Sequence, residues 1–250
     1  MAPCASLQNE HPAEAARMLD FSLIDLAALI YFIAAWVTYS VILERTAHGR
    51  ASLNALMHAY RDQWMREMLG RSMRMVDGQV TASLQNGAAF FASTSLIAVG
   101  GALTLVRSTE EMLTLVAMLP FSTAPTRVQW EAKILGLAII FVYAFFKFGW
   151  SYRLYNYVAI LIGAAPPIEE KDSAPARQLA YRAAHICADA GRHFNRGQRA
   201  FFFALGYLGW FLGPMPLALT TTAIVVVMYR RQFHSESRLA FADTGEPREF

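Results

Sequence analysis

Four long apolar runs, separated by arginine-rich polar stretches, dominate the chain. The first, Ser22–Leu43, matches the ~20 residues a helix needs to cross a bilayer. Asp20-Phe21-Ser22 offers capping side chains at its start, and Trp36 and Tyr39 suit the far interface. Asp25 lies one turn inside, where a carboxylate is favoured beside a helix N-terminus; a buried functional acid is the alternative. The second run, Leu84–Val106, contains the small and polar stretch Asn86–Ser95, which either lets helix backbones approach or lines a polar pathway. The third begins near Lys133 and stays apolar or aromatic to about Ile162. About thirty residues at ~1.5 Å each give ~45 Å, so its end must tilt or run along the headgroups. Pro166-Pro167 then stops it. The fourth, Arg199–Tyr229, carries Gly209-Trp-Phe-Leu-Gly213-Pro-Met-Pro216 at its middle. We read it first as a kinked span, because proline usually only bends a membrane helix. The alternative is a hairpin turning back at Gly213-Pro214.

Between the runs, helical spacing returns in a more polar setting. Over Ala51–Val76, Leu53, Met57, Tyr60, Trp64, Met68 and Met75 form a stripe flanked by Arg61, Arg66, Arg71 and Arg74. Such a helix lies in the membrane interface or docks on a protein surface, its own included. Ala174–Asn195, with Arg177, Arg182 and Arg192, predicts a second cytoplasmic helix. Met112–Phe121 is apolar but too short to cross, and reads as re-entrant or surface-lying. The predicted fold is an all-α polytopic membrane helix bundle of four hydrophobic segments with two cytoplasmic amphipathic helices. Residues 1–17 read as a disordered polar tail, 18–238 as a single membrane domain and 239–250 as a second disordered tail. Met18 is an alternative start. No basic n-region or cleavage site precedes the first run, which reads as a retained helix.

Composition agrees with a lipid environment. The chain is 55% hydrophobic and 16% charged, where a soluble domain is ~25% charged. A net charge of +3 without a block of like charges gives no reason to expect nucleic acid. The basic residues instead concentrate in the two long loops, which places those loops in the cytoplasm, the N-terminus outside and the protein in the inner membrane. Arg230, Arg231, Arg238 and Arg248 contradict this if the fourth run crosses once, and agree with it if the run is a hairpin. Cys4 and Cys187 suggest neither a disulfide nor a cysteine metal site. The expected partners are the lipid bilayer and its anionic headgroups, with a second copy or another membrane protein at the glycine face described next.

Gly206, Gly209 and Gly213 share a helix face suited to helix packing. His185, Asp189 and His193 also share one, but the two histidines stand ~12 Å apart along the axis and cannot bind one ion. A solvated face is the plainer reading of that metal candidate. Lys147 and Arg153 fall inside the third run. They either snorkel to the headgroups or point inward to an anionic substrate or to Asp25. We expect Arg153, Asn156, Asn195 and Arg199, with Lys147 nearby, to form a polar cluster at the cytoplasmic ends of the third and fourth segments. Its arginines need lipid phosphate or an acid such as Glu169, Glu170 or Asp189. No nucleotide, nucleophile, zinc-protease or calcium motif occurs, so no cofactor, catalytic residue or enzyme activity is expected.

Four ordered motifs carry a family resemblance. Phe90-Phe-Ala-Ser-Thr94, Phe146-Lys-Phe-Gly-Trp-Ser-Tyr-Arg-Leu-Tyr-Asn-Tyr157, Phe194-Asn-Arg-Gly-Gln-Arg-Ala-Phe-Phe-Phe-Ala204 and Trp210-Phe-Leu-Gly-Pro214…Tyr229-Arg-Arg-Gln-Phe233 resemble an uncharacterised family of bacterial and plant multi-pass membrane proteins, the DUF599-type family. The likeness covers roughly residues 18–238 and departs mildly at Gly149 and Met215. It implies a membrane bundle and brings no activity, while suggesting that Lys147, Trp150, Arg153, Asn156, Asn195 and Arg199 belong to the family pattern. The expected function is a structural or accessory membrane subunit without catalysis. A small-solute or ion transporter or channel is the alternative, with Lys147, Arg153, Asn156 and Ser93-Thr94-Ser95 converging on one cavity. A membrane-embedded enzyme comes last, since only the His185/Asp189/His193 face offers acid, base or metal.

Overall fold

A computed structural model describes residues 21–47, 49–118, 125–236 and 240. The expected tails (residue 240 apart), Met18, Cys4 and His48 lie outside the described residues. Among the described residues seven α-helices are delimited in order: α1 Leu23–Arg45, α2 Leu53–Leu69, α3 Met75–Arg107, α4 Thr109–Ala117, α5 Arg127–Gly163, α6 Ala174–Tyr207 and α7 Pro214–Phe233. Three-residue 3-10 turns precede α2 and α6, and a longer one, Leu208–Phe211, precedes α7; no strand occurs among the described residues. Among the described residues three helices, α1, α3 and α5, are long and apolar enough to cross a membrane.

Local chemistry sets the helix ends. The Ser22 hydroxyl accepts from the Asp25 backbone N–H at 3.1 Å and so caps α1. Thr126 and Gln129 form a capping box that starts α5 before the expected Lys133. Gly70 closes α2, so Met75 and Val76 open α3 instead of extending the preceding helix as expected. Ser173 caps α6, and Pro175 occupies its first turn, where a missing N–H leaves no gap. From there α6 runs 34 residues without a break, joining the expected second cytoplasmic helix to the first half of the fourth apolar run.

The central helix α5, 37 residues and thus ~55 Å long, lies antiparallel to both α3 and α6. Against α3, Arg74 donates to the Ala165 and Pro166 carbonyls at 2.7 and 2.5 Å at one end. Phe91 stacks on Phe148 midway, and Ala102 meets Trp130 and Ile134 at the other end. Against α6, Lys133 Nζ donates to the Trp210 carbonyl at 2.9 Å, and Ser151 Oγ to the Ala190 carbonyl at 2.8 Å. Gly136 and Gly197 let Tyr207 and Phe148 approach in between. Two cores result, at different heights on the same helices. One gathers Phe32, Tyr39, Phe148, Phe203, Tyr207 and Leu217. The other gathers Met65, Met68, Tyr155, Val158 and Cys187 with the alanines of α6. Met65, Met68 and Leu69 therefore form the buried face of α2, while Tyr60 on the expected stripe is 46% exposed. Trp64 is held at the edge, donating to Asp77 at 2.7 Å. Of the readings left open for α2, docking on its own protein is the one observed.

The kinked-span reading of the fourth run is corrected. The chain turns back at Gly213, whose φ of 135° is accessible to glycine and strained for any L side chain. Pro214 then opens a new helix instead of interrupting an old one. Helix α7 returns antiparallel to α6: Thr220 Oγ1 donates to the Gly206 carbonyl at 2.6 Å, and Arg231 lies 5.9 Å from the Phe202 ring centre. Gly206 and Gly209 thus face α7 of the same chain.

This packing makes Gly209 intolerant of a side chain. A Cβ there would sit 2.8 Å from the Pro216 carbonyl oxygen and 3.0 Å from its carbon, both backbone atoms. We expect Gly209→Ala to cost about 1–3 kcal/mol. Gly101→Ala in α3 meets open space and should be neutral or slightly stabilising. Thermal unfolding of the two variants in detergent checks the difference, and equal melting temperatures would refute the close hairpin contact.

Candidate functional site

The last turn of α1 carries Glu44, and α6 presents Arg196 and Arg199 three positions apart on one face. Glu44 accepts from Arg196 Nε at 2.9 Å and Nη2 at 2.5 Å, and from Arg199 Nη2. The Arg199 side chain is only 8% exposed. A guanidinium so buried needs its carboxylate, because an abandoned buried charge costs about 3–5 kcal/mol. Even so, Arg199 Nε is buried without a partner.

Two cavities meet at this arginine. One, of about 330 Å³, is lined by Glu44, Arg45, Asn54, His58, Arg192, Asn195, Arg196 and Arg199, among others. The other, of about 290 Å³, shares Asn54, Asn195 and Arg199 and adds Tyr39, Met228 and Arg231. Four arginines border the first against Glu44 and the nearby Asp189, which pairs with Arg192. The cavity thus keeps a surplus of two positive charges. Burial, and then Arg61 and Arg192, push the His58 imidazole down to about 4, against a weaker pull from Asp189. His58 therefore enters the lining neutral at pH 7, with its Nδ1 buried and unpartnered.

Of the predicted cluster, the structure brings Asn195 and Arg199 into this lining. Arg153 and Asn156 are exposed on α5. Arg153 Nε donates to the Tyr157 hydroxyl at 2.6 Å, and its guanidinium lies over the Trp150 and Tyr157 rings. Lys147 stands over Tyr143 at 5.1 Å, half-buried. The acid that joins the arginines is Glu44, where Glu169, Glu170 or Asp189 was expected. The fully inward lysine is Lys133, and Asp25 accepts from Trp210 Nε1 at 3.0 Å instead of from Lys147. Thr94 and Ser95 donate to carbonyls of their own helix, at Phe90 and Phe91.

The metal candidate does not converge. His185 Nδ1 pairs with the Tyr181 carbonyl at 3.0 Å, Asp189 pairs with Arg192, and His193 sits against Trp150. Among the described residues no group of three His, Cys, Asp or Glu side chains could hold a metal. Sequence reasoning missed Glu44 and the burial of Lys133. The signal for Glu44 was present: it is the one carboxylate at the C-terminal end of the first run, beside Arg45.

His58 makes the fold acid-sensitive. Its value falls from 6.5 unfolded to about 4 folded, so between those limits the unfolded chain binds the extra proton. Stability contributed by neutral His58 is present above pH 6.5 and lost as pH falls toward 4. Thermal unfolding across this range should show a smaller acid loss for His58→Gln than for the parent protein; identical pH profiles would refute the assignment.

No curated protein and no solved structure matches the chain. The family described as "Protein of unknown function, DUF599" matches residues 27–237. With its all-helical fold and three helices of membrane-spanning length, the chain belongs to that family.

Proposed function

We propose that the protein is a multi-pass inner-membrane protein of structural or accessory kind, without catalysis. One observation carries this reading: the polar groups at both ends of the apolar layer join helices to one another. Lys133 and Asp25 both bond to Trp210, and Glu44 binds Arg196 and Arg199. The four apolar segments cross five times, because the hairpin of α6 and α7 reaches the level of Asp25 and Lys133 and returns. Arg45, Arg196, Arg199, Arg230 and Arg231 then share one end, and the Lys/Arg bias assigns that end to the cytoplasm, with the N-terminus outside. A ~55 Å α5 exceeds the ~30 Å hydrocarbon layer, so its second half, the first half of α6 and the amphipathic α2 form a stem on the cytoplasmic side. Partners meet the exposed faces of that stem, where Tyr181 is 61% exposed. A small-solute or ion transporter is the second reading, favoured by the two cavities that share Arg199.

Two measurements test this. Single cysteines at positions 50 and 177, with Cys4 and Cys187 replaced by serine, should be shielded from an impermeant reagent in intact cells; labelling of either overturns the topology. In proteoliposomes the protein should add no anion flux. A saturable flux lost in Arg199→Gln would replace the accessory reading by the transporter.

A further inference from the structure

The basic cavity adjoins an apolar groove. This groove, of about 450 Å³, shares Glu44 and Arg45 with the cavity and runs back along α1 past Val41, Ser40, Val37 and Trp36 to Tyr143 of α5. Positions 36, 37, 40, 41, 44 and 45 lie on one helical face, so α1 presents a single stripe that is mostly apolar for two turns and ends in charge. Val37 and Val41 are 56% and 43% exposed on it.

We propose that cavity and groove together bind one anionic phospholipid, its phosphate against Arg45, Arg196 and Arg199 and an acyl chain along Val41 and Val37. The proposal rests on the reading that this end of α1 lies at the membrane's inner face. Its chemistry is specific. A phosphodiester presents two unbridged oxygens with one shared negative charge, which guanidinium groups meet with paired, charge-assisted hydrogen bonds. The surplus of two positive charges calls for such an anion. The buried, unpartnered Nε of Arg199 adds a donor without an acceptor on the protein. At about 330 Å³ the cavity falls at the lower end of the ~300–1,000 Å³ common for ligand sites, suited to a headgroup. The groove selects a lipid over a soluble phosphate, because only an amphiphile covers Val37 and Val41. Glu44 competes with the phosphate for both arginines and sets the affinity.

The test uses the full chain in detergent, with thermal unfolding read against short-chain phosphatidylglycerol, phosphatidylcholine and inorganic phosphate. Phosphatidylglycerol at one hundred times its dissociation constant should raise the melting temperature by roughly 5–10 °C. The other two at equal concentration should do little. Equal stabilisation by phosphatidylcholine overturns the charge recognition, and equal stabilisation by inorganic phosphate overturns the lipid. Arg196→Gln should weaken phosphatidylglycerol binding about tenfold, and Val41→Trp, which fills the groove, by at least as much while leaving the lipid-free melting temperature in place. Glu44→Gln gives the decisive sign. Removing the competing carboxylate should tighten lipid binding about tenfold even as the lipid-free protein loses stability. Unchanged or weaker binding in that variant, or unaltered binding in Val41→Trp, overturns the proposal. Detergent binding reads the site whichever way it faces, so its failure is distinct from a failure of the topology, which cysteine labelling reads.

Discussion

Trp210 holds three helices at one point, and the register of the bundle follows from it. Its carbonyl, at the end of a 3-10 turn, accepts from both the Gly213 N–H and the Lys133 ammonium. Its indole N–H donates to Asp25, and its ring stacks on Phe21 and meets Tyr207 edge-on. A buried lysine and a half-buried aspartate are thereby both hydrogen-bonded to one aromatic residue, whose face also attracts the cation at 5.2 Å. With Lys133 fixed at Trp210, antiparallel pairing puts Gly136 at Tyr207, Phe148 at Gly197 and Ser151 at Ala190. With Asp25 fixed there too, Glu44 falls at the height of Arg196 and Arg199. The two charge clusters are the ends of one alignment.

Sequence patterning exposed much of this and concealed some of it for physical reasons. The apolar runs, the Ser22 cap and the stop at Pro166-Pro167 were legible because they depend on neighbours in sequence. The continuity of α6 was not, because its second-core face is built from Ala176, Ala180, Ala183, Ala184 and Ala190, small residues whose close packing leaves little hydropathic trace. The hairpin gave a half-signal: Arg230 and Arg231 sat on the wrong side of a single crossing, while the prolines suggested only a kink. What decided the outcome was the backbone at Gly213, a matter of φ and not of polarity.

The candidate site was half legible for a related reason. Asn195 and Arg199 stood out as polar residues opening an apolar run, and both line the cavities. Their acid, Glu44, is 155 positions from Arg199, and nothing local distinguishes it from a flanking charge. Arg153 and Asn156 looked equivalent to the other pair by spacing. They differ because aromatic neighbours one turn away on α5 satisfy Arg153 without any help from α6. Side-chain chemistry indicates that a group needs a partner; only the packing says which one it finds.

The two cores share their helices and have no linker between them. Helices α5 and α6 pass through both, contributing Phe148 and Phe203 to one and Tyr155 and Cys187 to the other. A cut anywhere along either helix strips a wall from one core or from both. The region around Cys187 therefore cannot be excised as a free-standing soluble fragment with its packing intact, and a dissection that treats it as a detachable module would produce an incomplete fold. Helical continuity makes the molecule one mechanical piece.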